Sequence, residues 1–172
     1  SAYHLATYMS GLKGNSVFAD IKKLSSKIKM DVNAQVMINF SNGAQGMFWT
    51  NVIAKGGVYG LKIRIFGSKG SIEWIQNDPN YLKFNPAKGA VKLLERGFYN
   101  AEFSKNFSRI KFGHPEGYLD AFANIYKEFA SSLKNKSKKR FYFPKEEDGF
   151  ETAKFIDACK ISSKSKKWQK IK

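Results

Sequence analysis

A chain of 172 residues, of which 42% are hydrophobic and 15% aromatic, is long enough for one folded domain and too apolar for a disordered segment. Its 30 Lys and Arg outnumber its 14 Asp and Glu, which gives a net charge of +16. No apolar run approaches the roughly 20 residues that cross a bilayer, and the first residues do not resemble a signal peptide, so we expect a cytoplasmic protein without a membrane partner.

The chain begins with a predicted short helix. Residues 2–9 place Ala2, Leu5, Ala6 and Met9 on one face at helical spacing, and Gly11 then ends the helix. We expect it to be the end of a longer helix that starts before residue 1.

Strand-like segments follow the helix. A mixed segment at 16–28 precedes alternating segments at 31–39, 44–53, 59–66, 71–75, 81–85 and 90–94. Ser41-Asn42-Gly43 predicts a hairpin turn, and Gly67-Ser68-Lys69-Gly70 predicts another. Six strands joined by such short turns predict a largely antiparallel sheet.

The last third of the chain changes to a helical pattern. Segment 115–133 predicts an amphipathic helix, with Pro115 in its first turn and Glu116 at its positive end. Residues 141–143 predict a short strand or extended arm, and a last helix starts at Asp148 or Gly149. Together these elements predict an α+β domain, in which helices pack on one face of an open and largely antiparallel sheet.

Several kinds of site are missing from the sequence. It has no G-x-G-x-x-G dinucleotide fingerprint, no P-loop and no nucleophile elbow. Two histidines and the single Cys159, which we expect to be a small buried core residue, do not suffice for a zinc site. No complete catalytic constellation is present, and the residues alone predict only a domain with an open sheet.

The positive charge raises nucleic acid as a partner, but its distribution does not favour one. Only four of the basic residues are arginines, which are preferred for bidentate phosphate and base contacts. The lysines are scattered, and they concentrate only at 134–140 and 160–172. We therefore expect a solvated basic face.

Three segments in order resemble the C-terminal domain of Gfo/Idh/MocA-family oxidoreductases. They are Ala2-Tyr3-His4-Leu5-Ala6 with Gly11; Phe40-Ser41-Asn42-Gly43-Ala44 followed by 60–74; and Gly113-His114-Pro115-Glu116-Gly117-Tyr118 with 121–126, Pro144, Asp148-Gly149 and Ser162-Ser163. The resemblance implies that residues 1–172 are the substrate-binding and oligomerisation domain of a longer parent.

The same resemblance implies the parent's chemistry. An N-terminal Rossmann domain outside this chain would hold most of an NAD or NADP cofactor, and hydride transfer would act on a sugar, inositol or related polyol. The family's catalytic lysine and aspartate would also lie outside. Its catalytic histidine falls where this chain has Ser1, so either the parent lacks that histidine or Ser1 replaces a residue that was cut away. We expect the isolated chain to be inactive.

One group of predicted substrate contacts lies at the start of the long helix. His114 follows Gly113, which permits a sharp turn, and it resembles the family's cleft-facing histidine that hydrogen-bonds substrate hydroxyls. Glu116 and Tyr118 are further candidates, although the sequence favours helix stabilisation for the first and packing for the second.

A second group comes from the first third of the chain. His4 lies off the predicted apolar face of the first helix, at a position that often contacts substrate in the family. Asn51 and Trp49 lie at the end of a strand, where alternate side chains could point at the cleft.

The resemblance also implies a homo-oligomer that forms through the open sheet face. Because Lys62 and Arg64 alternate with apolar neighbours, we expect that interface to be polar. Two other functions stay open: a non-catalytic module that binds sugar or nucleic acid, and a family member that uses its cofactor for glycoside cleavage.

Overall fold

In a computed structural model, the structure describes residues 1–24, 26–57, 60–97, 105–135 and 141–172. The helices and strands of this part of the chain are, in order, α1 (Ala2–Ser10), β1 (Gly14–Lys22), β2 (Asn33–Phe40), β3 (Gln45–Asn51), β4 (Lys62–Gly67), β5 (Gly70–Ile75), β6 (Tyr81–Pro86), β7 (Lys92–Glu95), α2 (Tyr118–Lys134), α3 (Glu146–Ser165) and β8 (Gln169–Lys170).

The strands form two separate antiparallel sheets. The first sheet has the order β3-β2-β1-β8, and the second has the order β4-β5-β6-β7. They belong to two compact units, the first made of Ser1–Val58 and Pro144–Lys172, the second of Tyr59–Phe143. The α+β prediction is confirmed, but the predicted single sheet is two sheets of four strands.

The first unit has a buried core on one face of its sheet. Alternation along β1 and β2 directs Val17, Ala19 and Ile38 to the same side, where they are almost fully buried against α3. Cys159 of α3 lies in this core, and burial raises the pKa of its thiol from 9.0 to about 12. The predicted role of Cys159 as a small core residue is confirmed.

The helix α1 joins this core through a residue that the sequence pattern did not select. Gly11 ends α1 in the left-handed conformation, as predicted. The predicted apolar face is wrong, because Tyr3 is the buried residue of α1 and Met9 is half exposed. The Tyr3 ring stacks on Phe155 of α3 with ring centres 4.2 Å apart, and this aromatic contact sets which side of α1 faces inward.

Two serines of α3 close the edge of β1 beyond its short pairing with β8. That pairing involves only Ser16 and Val17 of β1. Farther along, the hydroxyl of Ser162 accepts a hydrogen bond from the backbone N–H of Ala19 at 3.0 Å, and Ser163 accepts one from Ile21 at 2.9 Å. The Ser162 hydroxyl also donates to the Lys167 carbonyl at 2.7 Å, so this fully buried polar group is satisfied.

The second sheet is built from hairpins. The predicted turn between β4 and β5 is confirmed, with Gly67 opposite Gly70. Gly70 has φ +145°, and a Cβ there would lie 2.4 Å from the Asn85 carbonyl oxygen, so only glycine fits. One face of this sheet carries Lys62, Arg64 and Glu73, which form exposed ion pairs of 3.2–3.4 Å.

The helix α2 in the second unit exposes its apolar stripe. Leu119 is 81% exposed, and the stripe also contains Phe122, Tyr126, Phe129 and Leu133, all of them exposed. The half-buried positions of α2 are polar or small instead. The amphipathic pattern is present as predicted, but it does not mark the inner face of α2.

Helix boundaries differ from the sequence pattern for local reasons. The long helix begins at Tyr118 rather than Pro115, because the Asp120 carboxylate accepts a hydrogen bond from the Gly117 backbone N–H at 3.0 Å and fixes the first turn there. The last helix begins at Glu146, with Asp148 accepting from the Lys145 N–H at 2.9 Å.

Other predicted segments end differently or lie partly outside the description. Residues 141–143 form no strand, and the segment predicted at 16–28 is a strand only to Lys22. Most of the Lys-rich stretch 134–140, residue 25 and the start of the segment at 59–66 lie outside the described residues. None of the helices described is both long and apolar enough to span a bilayer.

Candidate functional site

The second unit contains a cavity of about 250 Å³ where the start of β6, the end of β7 and the segment before α2 come together. Its walls carry carboxylate, amide, phenol, guanidinium and imidazole groups. The lining residues are Asp78, Asn80, Tyr81, Glu95, Arg96, Gly113, His114 and Pro115. The hollow is smaller than the roughly 300–1,000 Å³ of most ligand pockets, and the hydrogen-bonding groups that converge on it make it a candidate small-molecule site.

His114, the leading candidate from the sequence, lies at the rim of this cavity. Gly113 before it has φ +84°, which confirms the sharp turn predicted at that glycine. The backbone N–H of His114 donates to the Lys111 carbonyl at 3.3 Å, and the ring atom Nδ1 lies 3.3 Å from the same oxygen. Because a carbonyl oxygen only accepts, this contact favours the Nδ1–H tautomer and leaves Nε2 as an acceptor.

Glu116 is engaged within the protein. Its side chain is only 8% exposed. Oε1 accepts hydrogen bonds from the backbone N–H groups of Arg109 and Ile110, and Oε2 lies 3.2 Å from Nη1 of Arg96. Both carboxylate oxygens therefore already have partners. Glu116 contributes to the site by holding the loop in place, not by offering a free oxygen to a ligand.

Asn80 and Arg96 are site residues that the sequence pattern did not single out. Asn80 Oδ1 accepts from Arg96 Nε at 3.1 Å and from the Glu116 backbone N–H at 3.0 Å, while Nδ2 donates to the Glu116 carbonyl at 2.9 Å. The sequence did contain a signal for Arg96, because it is one of only four arginines in a chain whose other basic residues are lysines. These partners are 16 and 36 residues away from Asn80, so no local pattern could name them.

Tyr118 is the first residue of α2 and is 65% exposed. Its ring centre lies 4.9 Å from that of Phe122, one turn along the exposed apolar stripe. The sequence favoured packing over substrate contact for Tyr118, and the packing that exists is against Phe122. In sequence, Tyr118 follows directly after the segment that contains His114.

The other predicted contacts lie in the first unit. Trp49 and Asn51 end β3 as expected, and both donate to Asn33 Oδ1 at 3.0 Å, so they share one acceptor on the neighbouring strand. His4 lies on α1 with its ring centre 6.2 Å from that of Tyr8. The structure brings Trp49 and Asn51 together on Asn33 within the first unit.

The cavity does not fit a dinucleotide cofactor. Two of its walls carry carboxylates, from Asp78 and Glu95, which disfavour a pyrophosphate. The described chain also lacks a glycine-rich turn leading from a strand into a helix, which is the usual pyrophosphate site. Neutral hydroxyl groups suit these walls better, because carboxylate and imidazole acceptors bind them directly.

Comparison with known proteins gives a consistent result. The model of the family described as "Oxidoreductase family, C-terminal alpha/beta domain" matches residues 12–171. An uncharacterized oxidoreductase of Bacillus subtilis (strain 168), YfiI, is 33% identical over 143 residues, which are 79% of this chain and 36% of that protein.

Solved structures show the same relationship. An oxidoreductase from Sinorhizobium meliloti superposes with a TM-score of 0.92 at 38% identity, over 96% of this chain and 49% of its own. An inositol dehydrogenase homolog from Azotobacter vinelandii, complexed with NADH and myo-inositol, superposes with a TM-score of 0.90 at 26% identity, over 98% and 47%. The chain thus spans about a third to a half of the length of these relatives.

Proposed function

The chain belongs to the Gfo/Idh/MocA oxidoreductases, as their C-terminal α/β domain, and on this premise we propose that it is the substrate-binding half of an NAD(P)-dependent enzyme that oxidises a sugar, an inositol or a related polyol. The observation that carries the proposal is the cavity beside His114, with its polar walls. The Azotobacter vinelandii relative, which holds NADH and myo-inositol, supports both the cofactor type and the substrate class.

In this proposal the chain binds and orients the substrate. Oxidation of a carbinol carbon removes a hydride from carbon and a proton from the hydroxyl, and the nicotinamide supplies the hydride acceptor when it is bound. His114 Nε2, left as an acceptor by the contact of Nδ1 with Lys111, would accept a hydrogen bond from a substrate hydroxyl. This bond would hold the reacting carbon in one orientation.

The carboxylates of Asp78 and Glu95 would accept hydrogen bonds from further hydroxyl groups of the substrate. They line the same cavity as His114 and differ from it in carrying full negative charge. Hydrogen bonds to charged acceptors are stronger than those to neutral ones, so a ligand with several hydroxyls would gain more than a monohydric alcohol. The volume of the cavity and its acceptors together favour a polyol over an aliphatic alcohol.

The proposal places the cofactor and the remaining catalytic groups on the other half of the parent. This division explains why the cavity of this chain is suited to hydroxyls and not to a pyrophosphate. The exposed apolar stripe of α2 would pack against that half, since exposed apolar stripes of this length mark interaction surfaces. The isolated chain would then bind substrate weakly and turn nothing over.

We further propose that the outer face of the first sheet forms a homo-oligomer interface. Phe18, Met37 and Met47 lie directly opposite one another on β1, β2 and β3, and Met47 is 82% exposed. Trp49 continues this surface with 70% exposure. An interface here would be apolar, whereas the polar face expected from Lys62 and Arg64 belongs to the second sheet.

The test uses the full-length protein. It is titrated with NADH and NADPH and then screened with inositols, hexoses and amino sugars for a change in nicotinamide absorbance. We expect turnover with one class of polyol. His114→Ala should lower kcat/KM about tenfold to a hundredfold, the range for a lost hydrogen bond to substrate. Lys88→Ala, in the turn between β6 and β7, is the control and should keep full activity.

Failure of the full-length protein to bind either nucleotide would contradict the oxidoreductase proposal. Turnover that is unchanged in His114→Ala would keep the reaction class and remove His114 from the site.

A further inference from the structure

Arg96 lies at the centre of a polar cluster in the second unit. It follows β7 directly, and its side chain is 17% exposed. Nε donates to Asn80 Oδ1 at 3.1 Å, Nη2 donates to the His114 carbonyl at 2.6 Å, and Nη1 lies 3.2 Å from Glu116 Oε2. A guanidinium is planar and its N–H groups are fixed in direction, so the two hydrogen bonds from Nε and Nη2 define how Asn80 and the His114 carbonyl lie relative to each other, while Nη1 and Glu116 form an ion pair without a directed hydrogen bond.

Glu116 fixes the other side of the same loop. Its carboxylate binds the backbone N–H groups of Arg109 and Ile110, seven and six residues earlier in the chain, and so closes the segment 109–116 on itself. A nearly buried carboxylate is costly without a cation, and Arg96 supplies that cation. Removing either partner would leave the other charged and unpaired in a poorly hydrated place.

Contacts of the backbone join this cluster to the second sheet. The Arg96 N–H donates to the Asn80 carbonyl at 2.7 Å, which ties the end of β7 to the start of β6. Gly97 then passes under the ring of Phe112, so closely that a Cβ on Gly97 would lie 2.0 Å from the ring. The segment 109–116 is therefore held at its ends by Glu116 and near its middle by the contact of Phe112 with Gly97.

We infer that Asn80, Arg96 and Glu116 are positioning residues that hold the segment 109–116 against the second sheet and aim His114 into the cavity. This inference rests on the proposed function, which gives His114 its contact with substrate. None of the three needs to touch substrate for this role. Arg96 acts most directly, because it binds the carbonyl of His114 itself.

The inference predicts a state of the His114 ring that can be observed. With the loop held, Nδ1 stays near the Lys111 carbonyl and the ring keeps the Nδ1–H tautomer. With the loop released, the ring would lose this acceptor and exchange between tautomers in water. The nitrogen chemical shifts of a ¹⁵N-labelled histidine ring distinguish these two states without any substrate.

The first experiment measures this signal in the full-length protein with ¹⁵N-labelled histidine, and His114 is assigned by its loss in His114→Gln. Arg96→Ala and Arg96→Lys should both shift the His114 signals to tautomer-averaged positions. Lysine keeps the charge for Glu116, and so the fold, but cannot make the three contacts. Arg64→Ala is the matched control, an arginine of the same unit outside the cluster, and should leave the signals unchanged.

Unchanged His114 signals in a folded Arg96→Lys protein would overturn the inference. So would an equal shift in Arg64→Ala, because the effect would then follow from loss of any arginine.

The second experiment is a double-mutant cycle on turnover of the polyol identified in the screen. If Arg96 acts through His114, Arg96→Lys lowers kcat/KM by about as much as His114→Ala, and the double variant is no worse than His114→Ala alone. If the losses of kcat/KM from Arg96→Lys and His114→Ala multiply in the double variant, Arg96 has an independent role, which would contradict the inference. If His114→Ala has normal turnover, the proposed substrate contact fails, and the ring signals still decide whether the cluster holds His114.

Discussion

The two units of the chain differ in the interactions that stabilise each of them. The first has an apolar core of strand and helix residues that are almost fully buried, including Val17 and Ile38. The second has no fully buried residue among those described, and the polar cluster of Arg96 and Glu116 holds its loop 109–116. Apolar burial stabilises a unit by itself, whereas the second unit exposes the apolar stripe of its helix α2.

The largest expected difference between the units comes from the same kind of truncation made in each. Ile38→Ala removes a side chain that is 1% exposed and should cost about 2–5 kcal/mol of unfolding free energy, because a cavity remains. Leu119→Ala on α2 should cost far less within this chain. Urea unfolding of the isolated chain compares the two variants, and the same pair in the full-length protein tests whether the stripe of α2 is covered there.

If Leu119→Ala is as costly as Ile38→Ala, then the stripe of α2 is buried in the full-length protein. That outcome would support the packing proposed between α2 and the other half of the parent. A small cost for Ile38→Ala would contradict the assignment of the core.

A serine truncation gives an intermediate effect. Ser162→Ala leaves the buried N–H of Ala19 and the Lys167 carbonyl without their partner, which should cost about 1–3 kcal/mol. Ser132→Ala is the matched control, since the hydroxyl of Ser132 bonds the exposed Phe129 carbonyl within α2. Hydrogen exchange of the Ala19 amide measures the loss locally. Equal costs for the two serines would show that the edge of β1 is hydrated.

The smallest effect at neutral pH is a dependence of stability on pH in the first unit, which is expected only above pH 9. The unfolded thiol of Cys159 ionises near pH 9, whereas the buried thiol keeps its proton to about pH 12. Stability from this group is therefore complete below pH 9 and is lost as the pH rises toward 12, by up to about 1.4 kcal/mol per pH unit. Burial also raises the pKa of Tyr3, so Tyr3 adds a loss of the same sign above pH 10.

The difference between the wild-type protein and Cys159→Ala isolates the thiol, because Tyr3 is present in both. The denaturation midpoints of the two should converge or cross between pH 9 and 11. Parallel curves over this range would mean that the thiol is accessible in the folded protein.

The sequence predicted the parts of the fold that depend on neighbours in the chain. The hairpin turns at 41–43 and 67–70 and the end of α1 at Gly11 follow from local turn chemistry, and the structure has them. The direction of the α2 stripe could not be predicted, because periodicity shows that a face is apolar and does not show what covers it. The division into two sheets could not be predicted either, because it depends on which strands pair with each other in the folded chain.

The candidate site divides in the same way. His114 was selected in the sequence because it follows Gly113 just before a helix start and because it resembles the family's cleft-facing histidine. Arg96, Asn80 and the serines of α3 act through partners 16 to 143 residues away, and only the folded chain brings those partners together. The hydroxyls of Ser162 and Ser163 were noticed in the sequence as part of a family pattern, but their role at the β1 edge required the structure.

The closure of that edge has a consequence for the order in which the protein is made. The groups that cover β1 follow it by about 140 residues, so at typical rates of translation the strand waits on the order of ten seconds for them. During that time its free N–H groups are open to any other strand nearby, including one from a neighbouring nascent chain. The most vulnerable moment of the first unit is thus during synthesis, before the last helix has left the ribosome.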